Sequence, residues 1–146
     1  METQTASKAI PKEKKLDFKD SKYATGRRKK SIARVWVKKG SGIIHVNGKK
    51  MIDYFVKLNL QTAIVRTFAV AKRENEFDVR CTVKGGGLSG QAGAIILGIA
   101  RSLIQFEPTL KSDLKKEKLT TRDSRAVERK KYGRRKARRS FQFSKR

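Results

Sequence analysis

The residues between Val83 and Gln91 are the first to suggest chemistry. Gly85-Gly86-Gly87-Leu88-Ser89-Gly90 lies between a strand-like run and an apolar helical run. Backbone N–H groups at such a helix start can hold a phosphate. The order is neither GxGxxG nor a P-loop with its closing Lys-Ser/Thr. Glycines that admit a helix close to a sheet, or that take positive φ, explain the stretch more economically. A phosphate of a larger polyanion on the same amides fits either reading. His45, the single histidine, has no carboxylate near it in sequence. Cys81, the single cysteine, alternates with apolar residues and reads as a small core side chain. Asp123 and Glu128 sit among cations, where ion pairing accounts for them. No nucleophile–base pair and no metal-ligand spacing emerges, so the sequence calls for no cofactor and gives no support to an enzyme.

The charge is more informative. The chain has 38 Lys and Arg against 13 Asp and Glu, a formal net charge of +25 over 146 residues. That excess implies a polyanionic partner, because each neutralised phosphate releases condensed counterions. A membrane surface fits poorly, since no apolar run approaches twenty residues and no helix sets a basic face opposite an aromatic one. Nucleic acid is the partner class that remains. The cations gather in two places: Arg27, Arg28, Lys29 and Lys30 stand at the mouth of a strand, and the last eighteen residues, 129–146, hold ten cations and no acid. The tail's candidates are Arg129, Lys130, Lys131, Arg134, Arg135, Lys136, Arg138 and Arg139, with Tyr132, Phe141 and Phe143 interleaved as stacking groups. Guanidinium forks suit phosphate. The tail cannot bury enough apolar area to order itself, so it is expected to fold onto RNA.

The elements that position these groups follow from hydrophobic period. Residues 1–21 form a polar, Lys-rich flexible extension, 22–110 a domain, 111–128 a connecting segment and 129–146 the tail. Ala33, Val35 and Val37 alternate with Arg34, Trp36 and Lys38, a half-buried strand. Gly40-Ser41-Gly42 and the run Ile43–Asn47 suggest a return strand and therefore a hairpin. Met51–Phe55 reads as a helical turn. Asn59 is expected to cap a helix with Leu60, Ile64, Phe68 and Ala71 on one face. Phe77, Val79, Cys81 and Val83 mark the clearest strand. Ala92, Ile96, Ile99, Leu103 and Phe106 mark a central helix from Gln91 to Phe106, and Lys111–Lys118 one more short helix. These elements give an α+β domain, a small sheet covered by helices. The single cysteine and the lack of an apolar leader suggest a soluble protein of a reducing compartment.

Three stretches together resemble one family: Gly26-Arg27-Arg28-Lys29-Lys30-Ser31-Ile32-Ala33-Arg34-Val35, Gly85 to Ile95 with Gly98-Ile99-Ala100-Arg101, and the C-terminus. The last includes Thr121-Arg122-Asp123-Ser124-Arg125, Glu128-Arg129-Lys130-Lys131-Tyr132-Gly133 and Gln142-Phe143-Ser144-Lys145-Arg146. This pattern, over roughly residues 22–146, resembles the ninth protein of the small ribosomal subunit in its bacterial form. The resemblance implies a four-stranded sheet with helices packed on one face, a left-handed βαβ crossover and a long basic extended C-terminal tail. It implies a structural, non-enzymatic role in the subunit head, in a cytoplasmic rather than an organellar ribosome. The implied partners are ribosomal RNA, neighbouring ribosomal proteins and peptidyl-site tRNA, with no membrane. Arg122 and Arg125 join the residues above as ribosomal RNA contacts, while Ser144, Lys145 and Arg146 would meet the tRNA. Glu117-Lys118-Leu119 departs from the family pattern, which more usually has a glycine and an aromatic there. Two rivals are an ATP-binding kinase-like enzyme built on Gly85–Gly90 and a nucleoid-type DNA compactor.

Overall fold

A computed structural model describes residues 18–144. Apart from its last four residues, the expected N-terminal extension lies outside this range, as do Lys145 and Arg146. The elements run β1 (Lys22–Arg28), β2 (Ser31–Lys39), β3 (Ile44–Val46), β4 (Lys49–Lys50), α1 (Met51–Tyr54), α2 (Leu58–Val70), β5 (Phe77–Lys84), α3 (Leu88–Phe106), a 3-10 turn (Pro108–Leu110) and α4 (Lys111–Lys116). The sheet is mixed and has five strands in the order β1-β2-β5-β3-β4. The expected number was four. The additional edge strand is the two-residue β4, which pairs with β3 across the Asn47-Gly48 turn. Asn47 at φ 51° and Gly48 at φ 82° are both left-handed there, the conformation a tight hairpin turn requires.

The expected hairpin between β2 and Ile43–Asn47 does not form. β2 pairs antiparallel with β1 on one side and β5 on the other, and β3 lies beyond β5, parallel to it. The cause is Asp78. Its carboxylate accepts from Ser41 N at 2.8 Å and Ile43 N at 3.0 Å, so the 40–43 loop wraps over the start of β5 instead of reversing beside β2. Burial alone would raise this carboxyl, but the Ile43 and Ser41 donors outweigh it and hold it below its ordinary value. Strand β1 was hidden in the sequence because its inward positions are Ala24 and Gly26, too small to give an apolar alternation.

Alternation sets the layers. Ala33, Val35 and Val37 of β2 and Val79, Cys81 and Val83 of β5 are buried on one face. There α3 packs, with Ala94, Ile95, Ile99 and Leu103 fully or almost fully buried. The contact with β1 is backbone against backbone: a Cβ on Gly26 would stand 1.8 Å from the Ala94 carbonyl oxygen. Helix α2 adds Ile64 and Phe68 to the same core. Its N-cap is Lys57 rather than Asn59, with no capping side chain. Likewise α3 begins at Leu88, three residues before the expected Gln91.

Candidate nucleic-acid interface

Strand geometry divides the basic cluster that the sequence presents as one patch. Successive residues of β1 point to opposite faces. Arg27 therefore stands exposed on the open face, opposite Ile32 in the register. Arg28 turns to the helical side and crosses Gly93 of α3, where a Cβ would come within 2.3 Å of its Cδ. Lys29, at φ 52°, and Lys30 form the exposed turn into β2. So, among the described residues, Arg27, Lys29 and Lys30 make no side-chain ion pair or hydrogen bond, while Arg28 is engaged within the molecule.

The partner of Arg28 is Asp123, at 3.2 Å. Asp123 also receives Arg125 through its backbone N at 3.1 Å, Nε at 3.0 Å and Nη2 at 2.9 Å. These Arg125 hydrogen bonds, with the charges of Arg125 and Arg28 behind them, hold the Asp123 carboxyl far below the usual carboxylate range. One carboxylate thus clasps the start of the C-terminal segment to the mouth of β1. The concavity between them is lined by Arg27, Arg28, Ile96, Leu119 and Asp123, among others.

The chain is aimed at that clasp by the end of α4. Lys118 is left-handed at φ 57°, its N–H reaches Lys115 O at 3.0 Å, and Leu119 N reaches Leu114 O at 3.0 Å. This is a Schellman cap. Leu119 packs against the core cluster that includes Leu114, so Lys118 and Leu119 of the Glu117-Lys118-Leu119 stretch perform the capping themselves.

Beyond Leu119 no residue through Ser144 lies in a helix or strand, and nearly all side chains are exposed. Glu128 gathers Lys131 and Arg138, the latter at 2.9 Å. Arg135 N donates to Arg139 O at 2.9 Å, and the Arg135 guanidinium lies 5.2 Å from the Phe141 ring centre. Arg134 reaches Arg138 O at 3.0 Å and Ser140 Oγ at 2.7 Å. Arg129 donates to the Lys130 carbonyl at 3.1 Å. Among the described residues, Arg122, Lys130, Lys136 and Arg139 make no side-chain ion pair or hydrogen bond, and Tyr132 is fully exposed. Ser144 is exposed at the end of the described chain.

The glycine loop is explained by packing. Gly85 and Gly86 have φ of 74° and 63°, and a Cβ on Gly86 would stand 2.1 Å from Ser31 Oγ. Cys81 is buried, which pushes its thiol up to about 12, outside the range of a working nucleophile. His45 lies on the sheet with its Nδ1 buried and unpartnered.

With this geometry in view, a comparison with protein families decides the class. The family model described as Ribosomal protein S9/S16 matches residues 26–146. The chain belongs to that family. It is accordingly a structural ribosomal protein of the small subunit, which serves translation, resides on the ribosome and associates with ribosomal RNA and other ribosomal proteins. Proteins of this family are typically non-enzymatic. Among the described residues no helix is long and apolar enough to cross a membrane. The match begins inside β1 and covers α3, the Asp123 clasp and the C-terminal segment, so site and family span coincide.

Proposed function

We propose that this ribosomal protein binds ribosomal RNA of the subunit head through Arg27, Lys29, Lys30, Arg122 and the cations from Arg129 to Arg139, and that Ser144, Lys145 and Arg146 contact tRNA in the peptidyl site. In this reading Arg28 and Arg125 are positioning residues, since Asp123 already occupies their guanidinium groups. The observation that supports it best is the exposed, arginine-rich segment after Leu119, in which Arg122, Lys130, Lys136 and Arg139 have no acid partner among the described residues. Arg and Lys there neutralise closely spaced phosphates, Tyr132, Phe141 and Phe143 stack or wedge, and the segment extends along its RNA at the cost of the Glu128 contacts. We also propose, as the sequence resemblance implies, that the β3-to-β5 connection is a left-handed crossover and that the ribosome is cytoplasmic.

Removing Ser144, Lys145 and Arg146 takes away two of the 38 cations, so occupancy in assembled subunits is expected to persist. A charge-assisted hydrogen bond contributes roughly 1.5–3 kcal/mol when shielded and less when wet. tRNA affinity at the peptidyl site of purified subunits should therefore fall by about tenfold or less. Unchanged tRNA affinity at full occupancy would reduce the terminus to an RNA anchor.

A further inference from the structure

One face of the sheet is covered by α3, and among the described residues no helix lies on the opposite face. Cross-strand register defines what that face presents. Tyr23 is opposite Trp36, Trp36 opposite Arg80, Arg80 opposite His45 and His45 opposite Lys50. These five residues form one row across all five strands, about 19 Å at ~4.8 Å per strand. The next row holds Thr25, Arg34 and Thr82, and the third Arg27, Ile32 and Lys84. Tyr23 and Trp36 have ring centres 5.3 Å apart, and the Arg34 guanidinium lies 5.1 Å from the Trp36 ring and 5.9 Å from Tyr23. Tyr23 remains 42 % exposed and Ile32 45 %. Among the described residues the only acid in a strand is Asp78, whose carboxylate accepts from the 40–43 loop.

A solvated sheet face ordinarily alternates both signs of charge. This one instead combines the tilted Tyr23–Trp36 pair and the Arg34 guanidinium with Arg80, Lys50 and Lys84. Stacking surfaces flanked by cations are how sheets take unpaired bases, because every base has a π-face and every nucleotide a phosphate. An A-form duplex offers no splayed base to such a platform, and an acidic peptide would answer the cations but has no base to stack on the rings. We propose that the open sheet face is a second RNA-binding surface that stacks unpaired bases on Tyr23, Arg34 and Trp36 and holds their phosphates on Arg80 and Lys84. It adds to the RNA-binding reading above but depends on different residues, so either can fail alone.

Trp36 is the only tryptophan and sits inside the surface, so its emission reports occupancy directly. The full chain is titrated with an octameric oligoadenylate, with a ribose-phosphate octamer lacking bases, and with poly-glutamate. Oligoadenylate is expected to quench Trp36. Tyr23→Ala and Arg34→Ala should each raise the apparent Kd of quenching by about fivefold or more. The abasic octamer should leave the emission unchanged even where anisotropy shows it bound. Exchanging Arg134, Arg135, Arg138 and Arg139 for Gln should lower total RNA affinity but keep the quenching amplitude. If Tyr23→Ala unfolds, Arg80→Glu carries the same test, since its side chain is exposed and phosphate repulsion should weaken quenching. Absent quenching, quenching by the abasic octamer, or indifference to both the platform and Arg80 variants overturns the proposal. So does displacement of the RNA by poly-glutamate with equal quenching, which would assign the face to an acidic protein.

Discussion

The contact of β1 with α3 and the segment beyond Leu119 are held by opposite means. Gly26 and Gly98 bring strand and helix so close that a Cβ on Gly26 would stand 2.7 Å from the Gly98 backbone nitrogen. Arg101 Nη1 adds an exposed hydrogen bond to the Thr25 carbonyl at 3.0 Å, but the close backbone packing itself depends on no charge. After Leu119 the fixed points are carboxylates, Asp123 and Glu128, each holding two cations at the surface. Exposed ion pairs contribute little and are screened by salt. The domain therefore carries its own stability, whereas the segment holds a loose arrangement that a polyanion can replace. Two acids restrain part of an excess of cations and leave the rest for phosphate.

That contrast is broken first at Gly26. Gly26→Ala pushes a methyl group into the Ala94 carbonyl, backbone that cannot step aside. A loss of ~3 kcal/mol or more is expected, visible as a large drop in Tm or failure to fold. If Tm is retained, strand and helix are less closely apposed than described.

Asp78→Asn should have a smaller effect, ~1–3 kcal/mol, because two backbone donors lose their charged acceptor. The pH dependence has a definite sign. A carboxyl depressed in the folded state contributes stability above its unfolded value, near 3.9, and loses it as pH falls through the lower folded value. The gap between native and Asn proteins in chemical denaturation should hold at neutral pH and close in acid.

At Asp123 the outcome should be almost wholly local. Asp123→Asn releases Arg28 and Arg125, so trypsin cleavage after Arg122 and Arg125 in the free protein should accelerate severalfold while Tm stays essentially unchanged. Because this carboxyl is also depressed, the clasp should persist until pH falls below the ordinary carboxylate range. A large Tm loss would make the clasp part of the core and dissolve the contrast.

The smallest effect is expected at Lys118. Its left-handed φ suits glycine, so Lys118→Gly should raise stability by up to ~1 kcal/mol in denaturant titration. A decrease would mean that the lysine side chain supports the cap.

The sequence disclosed what depends on period and composition and concealed what depends on close approach. β5 and α3 were legible because Phe77–Val83 alternate and Ala92–Phe106 repeat at helical spacing. β1 was not, since its inward Ala24 and Gly26 are too small to mark an apolar alternation. The false hairpin arose because Gly40-Ser41-Gly42 looks like a two-strand turn, while the deciding acceptor, Asp78, lies 35 residues from Ile43. At the interface, the total charge was legible but its division was not. Arg27 and Arg28 are neighbours in sequence and opposed in the fold, and nothing local announced that Asp123 would claim the second. The clasp could have been suspected only from Asp123 as an isolated acid inside a run of cations.

The central claim is that the segment after Leu119 is a phosphate-binding element. Its most direct measurement is the affinity of the full chain for small-subunit ribosomal RNA as a function of salt. It is compared with that of a chain in which Arg134, Arg135, Lys136, Arg138 and Arg139 are Gln. Each phosphate contact contributes roughly 0.7 to 0.9 to the slope of log affinity against log salt. The native chain should show a steep negative slope, and the substituted chain one shallower by several contacts at unchanged Tm. Equal slopes in the two chains, or a flat response in the native one, would contradict the account.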